Sequence, residues 1–364
     1  MCSSDLSVGE YLIEALRSHG VDHVFGVPGD FILGLHVIGD ERGMRMVNCT
    51  REECATYAAD GYAREKGLGA VAVTYGVGIL ATMAALGGAN AEGVPVVVIG
   101  GAPGRGEHDG RRIHHMPTPD LQSPWRMMQE ITAPYSVVLD DPDEAYDQID
   151  WLLRQVVSAK MPGYIELPRD MIGTSPTTTH VLPRNPEPLV PSERIQAAAD
   201  DVIARINKAK NPVMWVGHLS RREQLGDELL DLAEAAGMPI VESVMGKASV
   251  DESHPLVAGV YVGAGSKPEL RKFVESADLV VQAGININDV TTGAFTANIP
   301  VDKRIHISRD RTEVGHHTYQ GVDLRGLTMV LRRRRDELKR HKPPKALPYA
   351  WSDEVKGADR ITTD

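Results

Sequence analysis

A chain of 364 residues, 42% apolar and 24% charged, is long enough for two or three domains with sizeable cores. Its net charge of −11 disfavours nucleic acid or an anionic membrane as the main partner, and no apolar run approaches the length of a membrane span. The start "MCSSDLSVGEYL" lacks the basic residues and apolar stretch of a secretion signal, and Cys2, Cys49 and Cys54 are odd in number without metal-ligand spacing, which together predict a reducing, cytoplasmic setting.

In chain order, "SVGEYLIEALRSHG" predicts a helix: Ser7 and Glu10 stand at capping-box spacing, Leu12, Ala15 and Leu16 give an apolar stripe, and Gly20 ends it. "VDHVFG" reads as a strand running into the turn "VPGD", and "MRMVNC" as a second strand. Thr50 is the expected N-cap of a helix through "EECATYAADGYARE", with Glu53 at capping-box spacing and Cys54 as a small packed residue. "GAVAVTYG" is a third strand, "GILATMAALGGANAEG" one helix and "PVVVIGG" a fourth strand. The helix "DPDEAYDQIDWLLRQVVSA" opens with Asp141 as N-cap, Pro142 at the first helical position and Glu144 at capping-box spacing, and the strand "GYIELP" follows. Strands that are apolar throughout and alternate with helices predict a parallel sheet covered on both faces.

Residues 174–192, rich in Pro and Thr and without periodicity, read as an extended linker. A second α/β pattern then runs through helix "RIQAAADDVIARINKA", strand "PVMWVG", helix "EQLGDELLDLAEAAG", strand "MPIVES", helix "KPELRKFVESA", strands "DLVVQAG" and "RIHISR", and a last helix "LTMVLRRRRDELKRH". Arg332 to Arg335 spread around a helix axis, which predicts a solvated face with ion pairs to Asp336 and Glu337 rather than an anion site. His316 and His317 have no chemical partner in the sequence and read as structural or surface residues.

Three features carry candidate chemistry. Glu52 sits in the first turn of its helix, free of the capping role assigned to Glu53. Behind it Ala55, Ala58, Ala59 and Tyr62 form a mostly small face that allows close packing. A glutamate that merely complements the helix dipole is the plainer alternative. Gly26 and Gly29 bracket Pro28 in a sharp turn after a strand, which puts Asp30 at the C-terminal edge of the sheet, as a ligand group or as the N-cap of a helix from Phe31. His114 and His115 follow the fourth strand in the loop "GGAPGRGEHDGRRIHHMPTP"; they are proton carriers over a cleft or two surface histidines. All follow parallel strands, so they are expected on one rim.

Taken together, "EYLIEALRSHGVDHVFGVPGDF", "EECATYAADGYAR", "TYGVGILATMAALGGANAEGVPVVVIGGAPG", "RRIHHM" and "YIELPRDM" resemble the N-terminal pyrimidine-binding domain of thiamine-diphosphate enzymes. Pyruvate and indolepyruvate decarboxylases are the nearest group. "VMGKASVDESHPLVAGVY" and "INDVTTGAF" resemble that family's central domain. The resemblance implies an α/β protein of two doubly wound, mainly parallel-sheet domains. Residues 1–173 form the pyrimidine-binding domain, 174–192 the linker, 193–342 the central domain and 343–364 a C-terminal tail. It further implies that the glutamate matching Glu52 hydrogen-bonds N1′ of the cofactor's aminopyrimidine, with Pro28, Gly29, Thr74 and Gly76 also on the cofactor, and that Asp30, His114 and His115 manage protons on the reacting substrate. The histidine pair points to decarboxylases, since acetolactate synthases generally lack it.

The sequence departs from the family in three ways. Arg51 replaces the usual Asn or His before the glutamate, and "MPTPDLQSPW" replaces the usual continuation after the histidines. No Gly-Asp-Gly motif with a downstream Asn occurs, which leads to the expectation that the third, pyrophosphate-binding domain is not part of this chain: "HDGRR" at 108–112 lacks the Asn and "GDELL" at 226–230 the second glycine. The expectation is one subunit of a split enzyme, or a fragment, catalysing non-oxidative decarboxylation of a small 2-oxo acid, with or without carboligation. Thiamine diphosphate would be shared with a pyrophosphate-binding partner chain that also holds Mg²⁺, and the chain would form a homo-oligomer through the pyrimidine-binding domain. The rivals are a non-catalytic regulatory or assembly partner, an acetolactate synthase-like carboligase and, more remotely, a flavin- or nucleotide-binding central domain, against which "VGHLSRREQL" lacks a glycine fingerprint.

Overall fold

Burial alternates along the strands of the first half of the chain in the way a two-faced layer requires. Ala70 and Ala72 join one apolar core while their neighbours Val71 and Val73 join another, and Val97 and Ile99 are split from Val96 and Val98 in the same manner. The computed structural model describes residues 6–107, 113–177 and 192–344. The chain divides into two units, Met1–Leu189 and Val190–Asp364. Cys2, the "HDGRR" stretch, most of the expected linker and nearly all of the expected tail lie outside the described residues.

The first unit runs α1 (Val8–Ser18), β1 (His23–Gly26), α2 (Leu33–Glu41), β2 (Arg45–Asn48), α3 (Glu52–Lys66), β3 (Gly69–Val73), α4 (Val77–Ala81), α5 (Met83–Glu92), β4 (Val96–Ala102), α6 (Ser123–Thr132), β5 (Ser136–Val138), α7 (Pro142–Ala159) and β6 (Gly163–Pro168). Its six strands lie in the order β2-β1-β3-β4-β6-β5, and every neighbouring pair is parallel. Helices α1, α2 and α7 cover one face through residues such as Leu12, Leu35 and Leu152. Helices α3, α5 and α6 cover the other through Ala59, Leu86 and Met128. The capping box of α1 forms as expected: the Ser7 hydroxyl accepts from the Glu10 amide at 3.3 Å and the Glu10 carboxylate from the Ser7 amide at 2.7 Å. Asp141 caps α7, accepting from the Asp143 amide at 2.9 Å.

Three expectations are corrected here. Thr50 is not the N-cap of α3; the capping position is Arg51, which is extended and makes no side-chain cap bond. The Cys49 amide still donates to the Gly26 carbonyl at 2.8 Å, so the chain leaves the sheet late and the helix starts at Glu52. Glu53 therefore has no capping partner and instead lies 3.7 Å from the Arg51 guanidinium. Cys54 is exposed rather than packed, because the buried stripe of α3 is Ala55, Thr56, Ala59, Asp60 and Ala63. The single helix expected over residues 78–93 is two, α4 and α5, broken where the Thr82 hydroxyl donates to the Ile79 carbonyl at 2.7 Å. Helix α6 and strand β5, not among the elements expected, complete the layer.

The second unit runs α8 (Ser192–Lys208), β7 (Pro212–Val216), α9 (His218–Arg222), α10 (Gly226–Ala236), β8 (Ile240–Glu242), β9 (Val257–Val260), α11 (Pro268–Glu275), β10 (Leu279–Ala283), α12 (Asp289–Thr292), β11 (Arg304–Ile307), β12 (Arg311–Val314), β13 (His317–Gln320) and α13 (Leu324–Arg333). Its sheet order is β13-β12-β11-β10-β7-β8-β9, parallel from β11 to β9 with β12 and β13 added antiparallel at one edge. The second histidine pair belongs to this edge: His316 lies 2.9 Å from Asp302, and the His317 ring stacks on Tyr319 with centroids 4.3 Å apart. The arginine run forms ion pairs, though mostly with other elements than expected: Arg332 with Asp231 and Glu228, Arg334 with Asp200 and Glu337. No described helix is long and apolar enough to cross a bilayer.

Close packing of α3 on the first sheet has a simple steric cause. A Cβ on Gly69, at the start of β3, would overlap the Ala59 carbonyl of α3. Gly69→Ala is expected to destabilise the chain by about 1–3 kcal/mol, as overpacking does, and urea unfolding checks this. An unchanged midpoint would mean that the helix is free to shift.

Candidate active site

Parallel strands deliver the chain to the same rim each time they end. In the first unit the segments after β1, β2, β3 and β4 carry Asp30, Glu52, Thr74–Gly78 and His114–His115 respectively. Asp30 does not cap a helix; α2 starts at Leu33 with Ile32 in the capping position. Its carboxylate instead faces the rim, where Oδ1 accepts from the Thr74 hydroxyl at 3.4 Å and Oδ2 lies 2.5 Å from His114 Nε2.

The two imidazoles are held from behind. The His114 ring leans on Phe31 with centroids 5.6 Å apart, and Phe31 is itself buried edge-on against Tyr75 and beneath the Arg169 guanidinium at 5.2 Å. Arg169 is neutralised by Glu107, and Arg105 by Asp170 at 2.8 Å. His115 has a left-handed backbone with φ of 66°, a region that β-carbon sterics disfavour. Its carbonyl accepts from the Val77 amide at 3.3 Å, over Gly76, where a Cβ would overlap that carbonyl. The turn after β3 thus fixes the histidine loop, and the His114 and His115 rings sit side by side with centroids 4.4 Å apart.

Glu52, the first residue of α3, is half-buried, and its carboxylate has no partner among the described residues. It faces the same turn. A Cβ on Gly78 would lie 3.4 Å from Glu52 Oε1 and 3.0 Å from Thr74 Cγ2, and one on Gly29 would lie 2.6 Å from Thr74 Cβ. Thr74 is therefore the hub between the carboxylate of Glu52 and the Asp30–His114 pair, with Pro28 exposed on the adjoining turn. The structure places Asp30, Glu52, Thr74, His114 and His115 on segments that leave the sheet at the same rim.

Two family models match this chain: the N-terminal TPP binding domain of thiamine pyrophosphate enzymes over residues 6–124, and the central domain of the same enzymes over residues 199–327. The chain belongs to the thiamine pyrophosphate enzymes. It is 36% identical over 325 residues to pyruvate decarboxylase 3 of Oryza sativa subsp. indica, a match covering 86% of this chain and 54% of the rice protein. It is 32% identical over 368 residues to pyruvate decarboxylase of Kluyveromyces marxianus, covering 98% and 64%. Against pyruvate decarboxylase isozyme 1 of Saccharomyces cerevisiae (strain ATCC 204508 / S288c) it is 32% identical over 346 residues, covering 93% and 61%. This thiamine pyrophosphate enzyme chain spans between 54% and 64% of the length of those curated relatives.

The residues on the rim suit the aminopyrimidine end of that family's cofactor. An uncommitted carboxylate stands at a helix start over a glycine-lined turn, which is a fitting partner for a protonated ring nitrogen. Phe31 and Glu166 were not singled out from the sequence, although both lie in stretches quoted for the resemblance. Glu166, on β6, is an acid in an otherwise apolar strand, and that mismatch was the signal available. Burial pushes its carboxyl up from 4.5 to about 7; the Tyr164 hydroxyl, donating at 3.2 Å, opposes this and the charge of Asp140 adds to it.

Folding holds the Glu166 proton more tightly than the unfolded chain does. Its stabilising contribution is complete below about 4.5 and is lost as pH rises through about 7. Glu166→Gln has no such proton to lose. Thermal melts across this window should show a flatter pH dependence of Tm for the variant than for the parent chain, and parallel curves would remove Glu166 from the acid–base linkage.

Proposed function

We propose that this chain is the aminopyrimidine-binding part of a thiamine-diphosphate-dependent enzyme that decarboxylates a small 2-oxo acid without oxidation. The observation that carries the reading is the free carboxylate of Glu52 on the same rim, and around the same threonine, as the Asp30–His114 pair and His115. When bound, thiamine diphosphate would supply the electron sink for the pair left by departing carbon dioxide.

The chain's own groups then divide the remaining work. Glu52 holds a proton at N1′ of the aminopyrimidine, a role its freedom from other partners supports. Pro28, Gly29, Thr74 and Gly76 shape the turn that receives this ring, and the glycines leave the backbone open to close approach. Asp30 orients His114 through Nε2, so that a proton passes between them and the substrate side of the rim. His115, its ring exposed beside His114, exchanges protons with the departing aldehyde and with water. This division is compatible with carboligation when a second carbonyl replaces the proton.

The diphosphate and its Mg²⁺ are, in this reading, held by residues outside this sequence, on a separate pyrophosphate-binding subunit. The relatives extend well beyond the stretch matched here, which supports residues for the diphosphate lying outside these 364 residues. Tyr57 and Val77, large side chains left 55% and 49% exposed, support self-association through the first unit.

The test is reconstitution. Alone, the chain should bind thiamine diphosphate weakly and release no carbon dioxide from a panel of 2-oxo acids. With a polypeptide supplying the missing domain and Mg²⁺ it should turn over. Glu52→Gln should then lower kcat by at least about a hundredfold, the scale of a lost proton-transfer group. Undiminished turnover in that variant would exclude Glu52 from the chemistry.

A further inference from the structure

The same rim has a second capacity, distinct from proton transfer. Asp30, His114 and His115 are the one group of three metal-ligating side chains among the described residues whose donor atoms all lie within 4.8 Å of one another. We propose that these three residues form a binding site for a divalent cation of the zinc, cobalt, nickel or copper class, and that occupation of the site is inhibitory.

Geometry and donor chemistry both favour this. Four-coordinate zinc, with bonds of about 2.0–2.1 Å to imidazole nitrogen, spaces its ligands about 3.3 Å apart. Small side-chain rotations bring three donors that already span 4.8 Å to that spacing. Two imidazoles and one carboxylate select borderline-soft transition metals, whereas Mg²⁺ prefers oxygen donors and keeps its water. The site is therefore chemically separate from the magnesium expected with a diphosphate.

The ligands are held in advance by a second layer of contacts, which is what a metal site requires of its surroundings. The Thr74 hydroxyl donates to Asp30, Phe31 supports the ring of His114, and the Val77 amide fixes the backbone of His115 in its left-handed conformation. Among the described residues, Arg105 and Arg169 are each paired with an acid, so neither is a free charge opposing the incoming cation. Asp30, His114 and His115 are all exposed, so solvent reaches the site and a remaining coordination position stays open to water. Among the described residues, the acid–histidine pairs His254 with Glu234 and His316 with Asp302 offer only two donors each.

The inhibitory consequence rests on the proton-carrying role proposed above. A cation that takes the lone pairs of both imidazoles and the Asp30 carboxylate leaves none of the three free to move a proton. Binding itself does not depend on that role, and it can be read without any turnover.

The experiment is titration of the full chain with Co²⁺, followed by visible d–d absorption. The expected result is one equivalent bound in the micromolar range, displaced by Zn²⁺ and untouched by excess Mg²⁺. The band should be lost in Asp30→Asn and in the His114→Gln/His115→Gln double variant, and retained in a His254→Gln/His316→Gln control. Far-UV circular dichroism verifies that each variant is folded. Absence of the band in the parent chain, or its survival in either rim variant, overturns the proposal. Undiminished decarboxylation by Glu52→Gln would sink the enzymatic reading and leave the cobalt result standing.

Discussion

Parallel pairing of β1 through β4 is the constraint from which the rest of the site follows. Because each strand enters the sheet from the same edge, the chain has to leave at the opposite edge four times within about a hundred residues, and each departure carries a polar group out of an apolar layer. Residues as far apart as Asp30 and His114 meet at 2.5 Å for that reason. The core supplies the rigidity: side chains of the strands divide cleanly between two apolar clusters, so that the sheet is clamped on both faces and its rim is a fixed platform.

Local pattern was enough to read most of the first unit. The capping box of α1, the Asp141 cap of α7 and the continuous apolar strands are short-range signals, and physics acts on them at short range. The failures have a common origin in tertiary pairing. Thr50 and Glu53 carry the right spacing for a cap, yet the backbone bond from Cys49 to Gly26 keeps the chain in the sheet one residue longer and wins. Cys54 is outward-facing because the register of α3 is set by Ala55 and Ala59 against β3. Of β12 and β13 only the latter is an edge strand, mostly exposed, and β12 is four residues long, so neither stood out from a histidine-containing loop.

The site was readable in a different sense. Spacing placed Asp30, Glu52, His114 and His115 after strands, which fixes the edge of the sheet but not which groups touch. That Thr74 joins Asp30 to the neighbourhood of Glu52, that Phe31 backs His114, and that the His115 backbone is left-handed are matters of geometry between segments well separated in sequence. The roles suggested by resemblance and the contacts made in space therefore answer separate questions, one about chemistry and one about how the chain holds that chemistry still.

Helix α3 is seated on β3 at Gly69. Main chain rests there on main chain, with no side chain as a spacer, and Glu52 stands at the head of the helix so seated. The outward positions of α3, among them Tyr57, Gly61 and Glu65, are thereby insulated from the carboxylate. A helix seated this way has its position along the sheet set by main chain, so changes at its outward side chains alter the surface of the first unit without shifting Glu52.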